Sequence, residues 1–96
     1  MHAVIREATY RPGRAVEESP EFQAFHAAHA SRSGYLGTIV ADMGDGRRLT
    51  LTLWATEKDM KAAREALGPV TQKLLDPLMV QPMKLVGTGP VLVKDF

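Results

Sequence analysis

The stretch Arg47-Arg48-Leu49-Thr50-Leu51-Thr52-Leu53-Trp54-Ala55-Thr56-Glu57-Lys58-Asp59 decides the fold. Its first part alternates without a break, with Leu49, Leu51 and Leu53 on one face and Thr50, Thr52 and Trp54 on the other, the period of a β-strand over Arg47 to Ala55. Its second part reads as a helix start. Thr56 is placed to cap, and Thr56-Glu57-Lys58-Asp59 resembles a capping box with Asp in the last position. Immediately upstream, Gly44-Asp45-Gly46 spells a tight hairpin, because Asp-Gly tolerates positive φ. The partner strand then covers Gly34 to Met43, with Tyr35, Leu36, Thr38, Ile39 and Val40 as its strand formers.

Working outward, His2 to Tyr10 reads as a first strand, and Arg11-Pro12-Gly13-Arg14 breaks it. Ser19-Pro20-Glu21 combines an N-cap, a proline at the first helical position and an acid in the first turn, so a helix is expected from Pro20 to about Arg32, stopping near Gly34. The helix after Thr56 is expected to run to about Leu67. Gly68-Pro69 then interrupts it, and Val70, Leu74, Leu75 and Leu78 form a second helical piece that Asp76-Pro77 and Gln81-Pro82 end. Met83 to Val93 is the last strand, with a bulge or bend at Gly87-Thr88-Gly89-Pro90. The order is βαββαβ. It specifies an α+β, ferredoxin-like fold, a four-stranded antiparallel sheet with both helices on one face, in a single domain over residues 1–96. The other face is bare. Strand faces carrying Ile39, Val4 or Trp54 would meet water in a monomer, and a symmetric homodimer with the sheets face to face is expected.

Composition bounds the function by exclusion. The 96 residues carry 12 basic and 11 acidic side chains, a net charge of +1, which argues against a nucleic-acid binder working through a basic face. There is no Cys, so disulfides, thiolate metal sites and a cysteine nucleophile are excluded, and there is no Asn. No apolar run approaches the ~20 residues needed to span a bilayer, and the first strand begins without a signal-peptide core. A cytoplasmic location with no membrane partner is the expectation.

Several side chains stand out as carriers of chemistry. Phe22, Phe25, His26 and His29 share one helical face by spacing. Either histidine suits a pocket-lining general base; the plainer alternative puts one on the helix margin and the other hydrogen-bonded in a small core. A metal site lacks a third ligand at fixed spacing, so none is expected. Trp54 either packs or lines a pocket for a planar ligand, and its alternation with the leucines leaves open which face it takes. Tyr35 and Tyr10 offer hydroxyls to a polar group or serve as amphipathic interface residues. Gly87-Thr88-Gly89-Pro90 lacks the Lys-Ser/Thr and helix of a phosphate loop.

The order of elements, Ala3-Val4-Ile5-Arg6 with Arg11-Pro12-Gly13, Gly34-Tyr35-Leu36-Gly37, the Asp45-Gly46 hairpin and Leu51-Thr52-Leu53-Trp54-Ala55-Thr56-Glu57 together resemble the antibiotic-biosynthesis-monooxygenase-like family of dimeric α/β barrels. The resemblance covers nearly the whole chain. It implies a dimer and a cofactor-independent monooxygenase acting on a small aromatic or polyketide-like compound, with His26 or His29 as base. The haem-degrading branch of that family pairs an Asn on the first strand with a Trp on the third and a His on the second helix. Here those positions hold Arg6, Trp54 and Arg64, so haem binding ranks low and no cofactor is expected. If both arginines approach Trp54, they favour an anionic planar ligand; otherwise Arg6 pairs with a cross-strand acid, and Arg64 pairs with Asp59 or Glu65 or is simply solvated. The alternative to an enzyme is a non-catalytic small-molecule-binding or dimerisation module.

Overall fold

The structure, a computed structural model, describes residues 1–13 and 15–96; Arg14, part of the break expected after the first strand, lies outside the described residues. Strands β1 (His2–Thr9), β2 (Tyr35–Gly44), β3 (Arg47–Trp54) and β4 (Lys84–Pro90) and helices α1 (Pro20–Ala30) and α2 (Glu57–Leu75) follow in βαββαβ order. The strands pair antiparallel in the order β2-β3-β1-β4. This is the ferredoxin-like arrangement that the pattern predicts.

Local chemistry sets the element ends. Ser19 caps α1 by accepting the Phe22 amide at 3.2 Å, while its hydroxyl donates to the Val16 carbonyl at 2.6 Å. Thr56 caps α2 by accepting the Asp59 amide at 3.1 Å and donates to Asp59 Oδ2 at 2.9 Å. The β2–β3 hairpin turns on Asp45 and Gly46, both at positive φ (56° and 79°), the signature of a type I′ turn.

Three expectations need correction. First, α2 runs unbroken from Glu57 to Leu75 with Pro69 inside it, and a short 3-10 turn, Asp76–Leu78, follows. Proline costs the helix one hydrogen bond. Buried Met60, Ala63, Leu67 and Leu75, spread along the whole length of α2, anchor it on both sides of the proline. Second, β4 ends at Pro90 rather than Val93. Its irregularity lies at Val86, which is skipped between the Ile5–Gly87 and Arg6–Leu85 pairs, one residue ahead of the glycine run. Third, only Ile39 of the three residues assigned to the bare face is there. Val4 and Trp54 are 1% and 2% exposed and pack under α2 with Met60, Ala63 and Leu67. Paired residues of an antiparallel ladder share a face. The register therefore places Thr50, Thr52 and Trp54 toward the helices, and Leu49, Leu51 and Leu53 with Ala3, Ile5, Ile39 and Ala41 on the far side.

Gly34 joins α1 to β2 at φ +82°, and a Cβ there would run into the Asp59 side chain at the cap of α2. Gly34→Ala is expected to cost at least about 1–3 kcal/mol from the backbone conformation alone, read as a lower midpoint in urea with the slope unchanged.

Candidate functional site

The helix-facing residues of β1 after His2 are Val4, Arg6 and Ala8. Val4 belongs to one apolar cluster with Trp54, Met60, Ala63 and Leu67. Ala8 belongs to another with Tyr10, Val16, Leu75, Leu78 and Met79. Arg6 projects from the strand between them. A guanidinium cannot be sealed dry into such a layer without a partner, and the two clusters do not close over it. The result is an open cleft of about 220 Å³, with Arg6, His29, Trp54, Arg64, Leu67 and Met83 prominent in its wall.

His29, on the last turn of α1, is 8% exposed. Its Nδ1 lies 3.0 Å from the Phe25 carbonyl oxygen. A carbonyl only accepts, so Nδ1 carries the proton and Nε2 of the neutral ring is left as a free acceptor. Burial pushes the His29 pKa below its ordinary value; the bond to Phe25 opposes this, and the charges of Arg6 and His26 add to it. Burial, and next the neighbouring Arg64 charge, likewise lower the pKa of Arg6, which stays a cation because arginine starts so high. The Trp54 indole stands 6.4 Å from the His29 ring and is held edge-on by Tyr35 at 5.7 Å.

Of the residues singled out from sequence, the cleft gathers Arg6, His29, Trp54 and Arg64. His26 is exposed on α1, 6.3 Å from the Tyr35 ring, and is not part of the cleft wall. Tyr35 braces Trp54 from behind and shares a 2.8 Å hydrogen bond with Thr38 Oγ1. Tyr10 lies in the other cluster, where burial, then the Glu17 charge, push its hydroxyl up to about 12 against the pull of Arg48. The ion-pair alternatives for the arginines do not form. Arg6 faces Thr50 and Leu85 across its two ladders, and among the described residues neither Arg6 nor Arg64 makes a salt bridge. No group of three His, Cys, Asp or Glu among the described residues could hold a metal.

Sequence reading missed Gly68, Thr71, Gln72 and Asp76, which also line the cleft. With Arg64 they form one stripe at helical spacing, a signal that is visible only when the helix is carried through Gly68-Pro69.

No protein-family model matches the sequence, and no curated protein is significantly similar to it. Solved structures are similar. A Nitrosomonas europaea protein of unknown function, NE2512, superposes with a TM-score of 0.76 at 12% identity, over 99% of this chain and 92% of that one. SnoaB, a cofactor-independent oxygenase from Streptomyces nogalater, gives 0.69 at 16% identity over 97% of both chains. An antibiotic biosynthesis monooxygenase gives 0.71 at 13% identity, over 97% of this chain and 100% of that one. The chain has the fold of the antibiotic biosynthesis monooxygenases. In this monooxygenase-like fold, no helix among the described residues is long and apolar enough to cross a membrane.

The depressed pKa of His29 ties stability to pH. The unfolded chain takes up this proton near pH 6.5 and the native chain only at lower pH, so the unfolded state binds more protons in between. The stability held by neutral His29 is complete above that window and is lost as pH falls through it. The melting temperature should drop between about pH 7.5 and 5.5, and the drop should be shallower in His29→Gln. Equal slopes in the two proteins would refute the linkage.

Proposed function

We propose that the chain is a cofactor-independent monooxygenase that oxidises a small phenolic compound, with His29 as the general base. The observation that carries this reading is the fixed tautomer of a buried, neutral histidine whose ring lines the cleft with Nε2 free. The likeness to SnoaB supports it. In the reaction, Nε2 takes the phenolic proton. The phenolate gives one electron to O₂, and the radical pair joins at the para carbon as a peroxide. Loss of water leaves a quinone. One oxygen atom enters the product, the other leaves as water, and all four electrons come from the substrate, so no external reductant is needed. Cleft volume sets the size of the reacting part. An apolar cavity of about 150 Å³ accepts benzene, so about 220 Å³ holds one substituted ring, and any further rings of a polyketide-like substrate would project through the open side.

Removing a positioned base typically costs about 10²–10⁴-fold. With a series of phenols and naphthols unsubstituted para to the hydroxyl, oxygen consumption should fall by that order in His29→Gln and stay near wild type in His26→Ala. A wild-type rate no higher than the background autoxidation, or a rate unaffected in His29→Gln, would favour the non-catalytic binding module instead.

The working unit in this reading is a homodimer joined through the sheets. Supporting it is an outer sheet face of Ala3, Ile5, Ile39, Leu49, Leu51 and Leu53 that no helix of the chain covers. A groove on that face is walled by Met1, Leu36, Ile39, Leu51, Leu53 and Phe96. Leu92, Val93 and Phe96 of the C-terminal segment are at least 80% exposed, apolar surface for a second copy to bury. Ile39→Glu places a charge on the β2 side of this face and should halve the mass measured by light scattering. A wild-type monomer at micromolar concentration would exclude the dimer.

A further inference from the structure

The two arginines of the cleft have no chemistry to do in the oxidation just described, and among the described residues neither forms a salt bridge. Every salt bridge among the described residues lies elsewhere: Arg47 with Glu7, Arg48 with Glu17 and Asp42, and Lys61 with Glu57. Of the residues lining the cleft, Arg6 and Arg64 are cations, Asp76 is the only carboxylate, and His29 is neutral when it is competent as a base. The cleft therefore carries one uncompensated positive charge. It sits against a partly apolar wall of Trp54, Leu67 and Met83, where fields are less screened than in bulk water. Like charges side by side are a cost that a protein sheds easily by substitution. A guanidinium pair also offers a planar fork of donors that fits a carboxylate.

We propose that the cleft selects an aromatic carboxylic acid of one ring, its carboxylate bound by Arg6 and Arg64 and its ring against the Trp54 wall. This names the ligand class of the same cleft and rests on its being a small-molecule site, but not on its oxidising anything. The arginines divide the task by position. Arg6 is fixed in the sheet at the floor, whereas Arg64 stands exposed on α2 at the mouth, where it meets the acid first. Thr71 and Gln72, one and two positions beyond Pro69 and Val70 on α2, line the same side. Thr71 already spends its hydroxyl on the Leu67 carbonyl, so Gln72 is the neutral polar side chain free to follow the ligand. The cleft volume of about 220 Å³ matches a benzoate-sized molecule and leaves little room for a larger one inside.

The test uses the protein's single tryptophan, which lines the cleft, as its own reporter. Quenching of Trp54 fluorescence is titrated with 3-hydroxybenzoate, whose carbon para to the hydroxyl is free, with its neutral isostere 3-hydroxybenzamide, and with acetate. Hydrogen bonds to charged groups contribute about 1.5–3 kcal/mol, so the benzoate should bind at least about tenfold more tightly than the amide. Acetate, lacking the ring, should not compete at equal concentration. Arg64→Gln, an exposed position where folding is not at risk, should erase the preference. Arg6→Gln should do the same, and Arg47→Gln, which removes the same charge elsewhere, should leave it intact. Equal affinity for benzoate and benzamide, a preference that survives in Arg64→Gln, or equally effective displacement by acetate would overturn the proposal. Anion binding without oxygen consumption would sink the monooxygenase reading and leave this one standing; oxidation of neutral phenols with no preference for acids would do the reverse.

Discussion

A single guanidinium on the buried side of the sheet organises the molecule. Between Val4 and Ala8, where a small α+β domain would ordinarily place another aliphatic residue, β1 carries Arg6. The charge cannot be desolvated without a partner, so the layer between sheet and helices forms two apolar clusters instead of one continuous core. The cleft, the approach of His29 to its edge and the exposure of part of the Trp54 surroundings all follow from that division.

The same constraint accounts for the unusual distribution of side chains across the sheet. The helix-facing side of β3 holds Thr50, Thr52 and Trp54, and its larger aliphatic residues, Leu49, Leu51 and Leu53, point the other way. In a sheet covered on one side only, the apolar residues normally face the cover. Here threonines line the side that must accommodate an arginine and a histidine, and the leucines line the side that no helix of the chain covers. Small domains bury only part of their apolar surface, and this one leaves a contiguous share of it on one face.

Element order was legible from sequence because each boundary carries a local signal: the Ser19 and Thr56 caps, the Asp45-Gly46 turn, and the alternation of β3. The facing of β3 was not legible. Alternation gives two faces but does not say which meets the helices, and the heuristic that the leucines go inward fails when the inward side is partly polar. The site was half legible. His29, Trp54, Arg6 and Arg64 converge, but His26, one residue past Phe25 on the same nominal stripe, turns to solvent, because a helix face is broad and burial falls away over a single position. The polar stripe of α2 was hidden by reading Gly68-Pro69 as a break. Tertiary packing of Leu67 and Leu75 on either side overrides the local preference of that pair.

That pair has a further consequence for motion. Gly68 contributes the least rigid backbone available, and Pro69 removes one rung of the helical ladder, both in the turn that borders the cleft. Local opening is easiest where hydrogen bonds are fewest and side-chain contacts sparse. The longest helix of the protein is thus weakest beside its only buried tryptophan. A bend of α2 would fall at this turn, between the end anchored by Met60, Ala63 and Leu67 and the end anchored by Leu75, so the backbone of Gly68 and Pro69 governs the part of the cleft wall with most freedom to move.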